Sequence, residues 1–196
     1  MKPSRYKKII LASTSPRRQE LFARLNLPFT VESSDYEEDM SLAMSPQKLA
    51  ITLSAGKAAA VAKKHRQGLV IGADTFVVFN NQLLGKPTDK NEAKIMLKKL
   101  SGRRVDILTG LTIIDAASRR KISTAAVTKV YLRKMSESEI DNYIASGEPL
   151  DKAGAFAIQG LGAVIIKDVQ GDFMGAMGLP LFILARELKK FGVNVL

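Results

Sequence analysis

Apolar positions along the chain recur with two spacings, and capping or turn residues mark where one gives way to the other. Residues 9–12 (Ile-Ile-Leu-Ala) form a short unbroken apolar run, which predicts a buried strand. Ser15-Pro16 follows and predicts a helix start. Ser15 is placed as N-cap and Pro16 at the first helical position, where its missing N–H costs nothing. Leu21, Phe22 and Leu25 supply the apolar stripe of that helix. Residues 29–44 lack either period and hold the densest acidic cluster, Asp35, Glu37, Glu38 and Asp39. Ser45-Pro46 repeats the opening pair, and the helix it predicts runs to about His65 with Leu49, Leu53 and Val61 facing inward.

Residues 70–79 have the β-branched and aromatic content of a strand, and Asn80-Asn81 suits the tight turn of a hairpin. Asp89 and Glu92 predict the capped start of a helix that Gly102 ends. Two strands are expected at 105–114 and 121–132, around the polar turn 115–120. Ser136 and Glu139 have capping-box spacing for a helix that stops at Gly147. Residues 154–178 are glycine-rich with one strand at 163–169, and residues 179–191 predict a closing amphipathic helix. Helices and strands alternate, but two hairpins interrupt the pattern. The expected fold class is therefore α/β with a mixed sheet, as one compact domain over residues 1–196.

Composition narrows the chemistry. A length of 196 residues suits one domain or two closely fused lobes, and 46% hydrophobic with 25% charged residues excludes a disordered chain. The absence of cysteine removes disulfides, thiolate nucleophiles and cysteine-based metal sites, and it favours a reducing cytoplasm. A lone histidine, His65, leaves no His-His metal pair and argues against a Ser-His-Asp triad. Thirty Lys and Arg against 19 acids make a formal charge of +11. That surplus attracts nucleic acid, acidic membrane or phosphorylated small molecules without choosing among them. The apolar run after residue 8 stops too soon for a leader, and no stretch approaches the ~20 residues of a membrane helix. A soluble cytoplasmic protein is expected.

Four features bear chemistry. Arg17 and Arg18 fall in the first turn of the predicted helix, where unsatisfied N–H groups and partial positive charge disfavour cations. An anion bound there removes the conflict, since strand-to-helix turns bind phosphate and arginine grips it by paired hydrogen bonds. Two solvated surface arginines are the competing reading. Asp74, in Gly72-Ala73-Asp74-Thr75, shares a strand face with Val70, Phe76 and Val78 by two-residue alternation. A carboxylate so placed is hydrogen-bonded, metal-bound or held in a cleft as a general base. A strand-end aspartate that caps a loop stays open beside these.

Lys57 lies four residues from both Leu53 and Val61, on the apolar stripe, and Lys86 is presented from the bent Gly85-Lys86-Pro87 segment. Singly each suits a snorkelling surface lysine; with two arginines and an odd carboxylate they suit a polyanion. No Walker A motif is present, and Gly160-Leu161-Gly162 lacks the third glycine of a dinucleotide fingerprint. Gln159 lies in residues 147–160, a stretch too rich in Gly and Ala to fill a core. Its amide both donates and accepts, which suits the edge of a base; an ordinary hydrated loop is the alternative.

Taken in order, residues 11–18 (LASTSPRR), 72–75 (GADT), 84–89 (LGKPTD), Ser101-Gly102, 148–160 (EPLDKAGAFAIQG) and 178–180 (GLP) resemble the Maf family of nucleoside triphosphate pyrophosphatases. The resemblance covers nearly the whole chain. It implies a Maf/ITPase-like mixed α/β fold, with an elongated curved sheet flanked by helices, two lobes and a central cleft, usually assembled as a homodimer. It also implies hydrolysis between the α- and β-phosphates, to a nucleoside monophosphate and pyrophosphate, with a divalent metal, Mg²⁺ or Mn²⁺. Position by position, Asp74 matches the catalytic carboxylate that accepts a proton from the attacking water. Arg17, Arg18, Lys57 and Lys86 match residues that hold the triphosphate. Glu37 or Glu38 matches an acidic position near the metal, with Asp74 a further metal candidate.

Arg17, Thr75 and Gln159 resemble the branch acting on dTTP and UTP, whereas a branch acting on 7-methyl-GTP would have glutamate at the place of Gln159. A carboxylate suits the positively charged edge of methylated guanine; a neutral amide pairs with the alternating edge of thymine or uracil. Two positions depart from the family pattern. Val105 stands where histidine is usual, and residues 173–177 (FMGAM) are softer than the usual polar-plus-valine run, which bears on the substrate range. The expectation is a cytoplasmic pyrophosphatase for dTTP, UTP or modified pyrimidine triphosphates, with no membrane and no stable nucleic-acid partner. From another class, a nucleic-acid-binding or cell-division regulatory protein on the same fold fits the +11 charge, but 6% aromatics without tryptophan count against it.

Overall fold

Ile9, Ile10 and Leu11 are all buried because the strand they form, β1 (Ile9–Leu11), has a parallel neighbour on each side. Those neighbours are β2 (Thr30–Val31) and β3 (Leu69–Phe79). The computed structural model describes residues 8–40 and 43–196. Residues 1–7, which bear on the expected lack of a leader, and residues 41–42 of the acidic segment lie outside the described residues. β4 (Gln82–Leu84), β5 (Arg104–Asp115), β6 (Lys121–Leu132) and β7 (Ile166–Gln170) complete a seven-stranded sheet among the described residues, ordered β2-β1-β3-β5-β6-β7, with β4 on β3. Parallel pairs at β1 and antiparallel pairs at β3–β4 and β6–β7 make the sheet mixed, as the hairpins predict. Asn80 and Asn81 turn β3 into β4 with φ of 49° and 62°, the left-handed pair that a type I′ turn needs.

Six α-helices are described: α1 (Pro16–Ala23), α2 (Pro46–Ala62), α3 (Lys90–Leu100), α4 (Glu137–Ala145), α5 (Phe173–Ala176) and α6 (Leu181–Lys189). Ser45 and Asp89 cap α2 and α3, and Ser136 with Glu139 forms a complete capping box on α4. α1 departs from expectation. Ser15 occupies the N-cap position, but its side chain makes no cap hydrogen bond. Two further elements shift. The acidic segment opens with the short strand β2, because β1 offers Leu11 O to the Glu32 N–H at 3.0 Å. The strand expected at 163–169 starts only at Ile166, after the 3₁₀ turn Gly160–Ile165, because Glu148 takes the N–H groups of Leu161 and Gly162.

Contacts divide the chain into two compact units. One comprises the described residues up to Thr75 with Thr109–Ala126 and Met174–Leu196; the other comprises Phe76–Leu108 and Val127–Phe173. In the first unit, Ile10, Ala12, Val70 and Ile114 of the sheet pack on Ala58, Val61 and Ala62 of α2. Gly72 and Gly110 let the helix come close: a Cβ on Gly72 would lie 2.4 Å from Ser54 O, and one on Gly110 1.9 Å from Ala50 O. In the second unit, α3 packs on α4 and on the 3₁₀ turn Ala153–Ala155. Among the described residues no helix is long and apolar enough to cross a membrane.

Candidate active site

Asp74 lies within β3, 5% exposed, on the strand face turned toward α2. Alternation puts Gly72 on that same face, directly beneath Ser54 and Ala58 of the helix. Lys57 stands one turn from Leu53 and from Val61, both fully buried, so its stem is held along the packed side of α2. Its ammonium lies 2.5 Å from Asp74 Oδ1 and 2.8 Å from Glu38 Oε1. Shielding from water strengthens the Lys57–Asp74 pair but removes solvent as a substitute partner, so those two groups depend on one another, while the more exposed Glu38 keeps water as an alternative.

Glu38, not Glu37, makes this contact, although both residues are exposed. What selects it is the docking of its segment on α2. The Tyr36 ring lies over Gly56, where a Cβ would fall 2.2 Å from a ring carbon. Farther along, His65 pairs with Glu32 at 2.7 Å and Lys64 with Asp35 at 2.7 Å. Tyr36 and Gly56 escaped sequence reasoning. The one visible signal was a glycine inside a helix, where it is about 1 kcal/mol worse than alanine unless something needs the space.

Arg18 is anchored rather than solvated. Its Nε donates to Gly178 O at 3.0 Å, and its two terminal nitrogens reach Ser13 Oγ at 3.3 Å and Thr75 Oγ1 at 3.4 Å. Thr75 Oγ1 lies 2.9 Å from Thr109 Oγ1, and Thr109 donates its proton to Gly175 O at 2.7 Å. Thr75 must therefore donate to Thr109, which leaves its lone pairs toward Arg18. Burial pushes the Arg18 guanidinium below its ordinary range, the Asp74 and Glu38 carboxylates pull it back up, and Arg17 repels it. Two cations thus stand at the start of α1, whose first turn receives no side-chain cap.

Arg17, Arg18, Lys57, Thr75, Asp74 and Glu38 all belong to the first unit. Lys86 and Gln159 belong to the second, where Gly85 O accepts the Gly154 N–H at 2.9 Å and so ties the Lys86 segment to the glycine-rich one. Lys86 is exposed, and Gln159 is half-buried between Ile158 and Gly160, its side chain making no cap hydrogen bond. Val105 is 1% exposed and packs in β5 as an ordinary core residue.

Among the described residues no group of three or more metal-ligating side chains is assembled. Asp74 and Glu38 nevertheless aim carboxylate oxygens at one cation, the Lys57 ammonium. Two such hard donors fit a Mg²⁺ or Mn²⁺ ion that completes its shell with water and substrate phosphate.

A mixed sheet, a shielded carboxylate–lysine pair and an anchored arginine at a strand-to-helix turn define an α/β protein built to handle an anionic ligand. The chain belongs to the Maf family: residues 8–191 match the family model described as Maf-like protein. A dTTP/UTP pyrophosphatase of Methanosarcina mazei is 48% identical over 190 residues, 96% of each chain. Proteins of the same name from Methanosarcina barkeri (50% over 190 residues, 96% of each) and Desulforamulus reducens (45% over 187 residues, 95% of this chain and 98% of that one) are similar to it as well. Among solved structures, the Ham1 protein of Staphylococcus aureus aligns with 64% of this chain and 72% of its own, at 16% identity and a TM-score of 0.47.

Proposed function

We propose that the chain is a nucleoside triphosphate pyrophosphatase that hydrolyses dTTP and UTP, or modified pyrimidine triphosphates, to the nucleoside monophosphate and pyrophosphate. The observation that carries this is the shielded Asp74–Lys57 pair beside Arg18, in a chain 45% to 50% identical to proteins named for that activity. Arg17 and Arg18 bind phosphate oxygens at the uncapped start of α1. Phosphate also competes for the Lys57 ammonium and draws it from Asp74. Asp74 then accepts the proton of the attacking water. The water oxygen bonds to the α-phosphorus as the bond from that phosphorus to the α–β bridging oxygen breaks, and pyrophosphate leaves with the electron pair.

Asp74 and Glu38 would hold a divalent ion, which would neutralise charge on the phosphate oxygens. Lys86 adds a phosphate contact, Thr75 supports Arg18, and Gln159 pairs with the pyrimidine edge. As the resemblance implies, the working form is a homodimer in the cytoplasm.

Incubating the purified protein with a panel of nucleoside triphosphates and Mg²⁺ tests the proposal. Pyrophosphate together with dTMP or UMP is the expected result. Release of orthophosphate, or salt-sensitive binding of duplex DNA without turnover, would overturn it.

A further inference from the structure

Two acceptors inside the second unit hold the turn that carries Gln159, one on each flank. On the N-terminal side, the Ala157 N–H donates to the Tyr143 hydroxyl at 3.1 Å. On the C-terminal side, Leu161 N–H donates to Glu148 Oε1 at 3.0 Å and Gly162 N–H to Oε2 at 2.7 Å. Burial first, and then the neighbouring Glu148 carboxylate, keeps the Tyr143 hydroxyl protonated, so the two acceptors stand side by side. Between them they hold both flanks of Gln159, Tyr143 two residues before it and Glu148 two and three residues after it.

The turn has no slack. Gly160 has φ +68°, and a Cβ there would fall 2.1 Å from Glu148 Oε1. A Cβ on Gly162 would meet Ala157 O at 2.4 Å and the Tyr143 oxygen at 2.5 Å. Tyr143 is 3% exposed on α4, so its hydroxyl is fixed by the core, and Glu148 follows directly from the left-handed Gly147 that ends that helix. The acceptors thus come from a packed helix end; the donor segment is seated in the core up to Ile158, and from Gln159 to Gly162 it is held by the Glu148 carboxylate.

We propose that Glu148 and Tyr143 are positioning residues for base selection, holding the Gln159 amide in the one presentation that suits a pyrimidine edge. The inference rests on the pyrophosphatase reading, in which Gln159 meets the base. Displacement of a recognition group by about 1 Å is enough to forfeit up to ~10²-fold in rate. An amide that can rotate or slide also accepts purine edges that a fixed one rejects.

The test compares kcat/KM for dTTP and for dGTP in Glu148→Ala, Glu148→Gln, Tyr143→Phe and Gln159→Ala. Glu148→Ala is expected to lower the dTTP preference by about tenfold, through KM for dTTP with kcat nearly kept. Glu148→Gln retains one carbonyl acceptor and Tyr143→Phe removes only the acceptor of the Ala157 N–H, so both should fall between the wild type and Glu148→Ala. Because selectivity runs through Gln159, Glu148→Ala placed on Gln159→Ala should change the preference no further. A merely structural role would instead lower kcat for both nucleotides together with Tm, and that pattern overturns the proposal. If Gln159→Ala keeps the preference, base reading by Gln159 is wrong. If Gln159→Ala loses it while the Glu148 and Tyr143 variants keep it, only the positioning role is wrong. Should Glu148→Ala not fold, the two conservative variants decide the matter alone.

Discussion

Lys57 Nζ lies 2.5 Å from Asp74 Oδ1, joining α2 to β3 at a point where the two side chains are only 12% and 7% exposed. Such a pair is a poor stability device, since desolvation offsets most of its attraction. It is a good way to hold a carboxylate and an ammonium in a fixed relation for a charged ligand to disturb.

Asp74→Asn keeps the shape and removes the proton acceptor. Turnover of dTTP should fall about 10²–10⁴-fold, read as the steady-state rate of pyrophosphate release. The fold should persist, because Lys57 still has Glu38 at 2.8 Å. Turnover close to the parent's would remove Asp74 from the chemistry.

Gly72→Ala inserts a Cβ 2.4 Å from Ser54 O and 2.8 Å from Ala58 N. The backbone of α2 must lift from β3, at a cost of about 1–3 kcal/mol, and Lys57 lifts with it. A thermal melt should show Tm lowered by roughly 2–4 °C for each of those kcal/mol, accompanied by reduced turnover. An unchanged melt would mean that the helix does not need this close seat.

Gly56→Ala separates helix stability from function. Alanine improves the helix by about 1 kcal/mol in propensity, yet its Cβ would enter the Tyr36 ring, 2.2 Å from the nearest carbon. Glu38 should shift from Lys57, and the Mg²⁺ concentration for half-maximal activity should rise about tenfold, the low end of what losing support for a metal ligand costs. A Mg²⁺ titration identical to that of the parent would show that Tyr36 does not set the position of Glu38.

Gln159→Glu replaces an amide that donates and accepts with a group that only accepts when ionised. Use of dTTP and UTP should weaken relative to other triphosphates in a substrate panel. An unaltered ranking would exclude this residue from base recognition.

Acid should loosen the start of α4 through Glu139. The Arg133 guanidinium, followed by the N–H and hydroxyl of Ser136, holds the Glu139 carboxyl down at about 2, from an ordinary 4.5. A folded-state value below the unfolded one means that the unfolded chain takes up the proton first. The contribution is present above about pH 4.5 and disappears as pH falls toward about 2. Thermal melts of the parent and of Glu139→Gln should therefore differ near neutrality and converge as acid is added; a constant gap would place the effect elsewhere.

Much of this was legible in the chain because it depends on neighbours in sequence. The capping box of Ser136 and Glu139, the Asn80-Asn81 turn and the apolar stripe carrying Lys57 are local devices, and each formed where the residue order put it. Asp74 was conspicuous for a related reason: a carboxylate on an apolar strand demands a partner. The partner's identity followed only once α2 was laid on β3. Ser15 shows the limit even of a local signal, since the right residue stood at the right place and its side chain made no cap bond.

The order of residues by itself determined most of the helix and strand types, the family, and the candidates Asp74, Lys57, Arg17 and Arg18, because periodicity, capping and motif spacing act over a few residues. Only the tertiary structure decided that Glu38 rather than Glu37 meets Lys57, that Arg18 is fixed by Gly178 and Thr75, and that Glu148 closes the turn around Gln159. Those contacts join positions 13 to 160 residues apart in the chain, and which of several chemically similar side chains arrives is settled by packing: a tyrosine over a glycine, a helix seated on a strand.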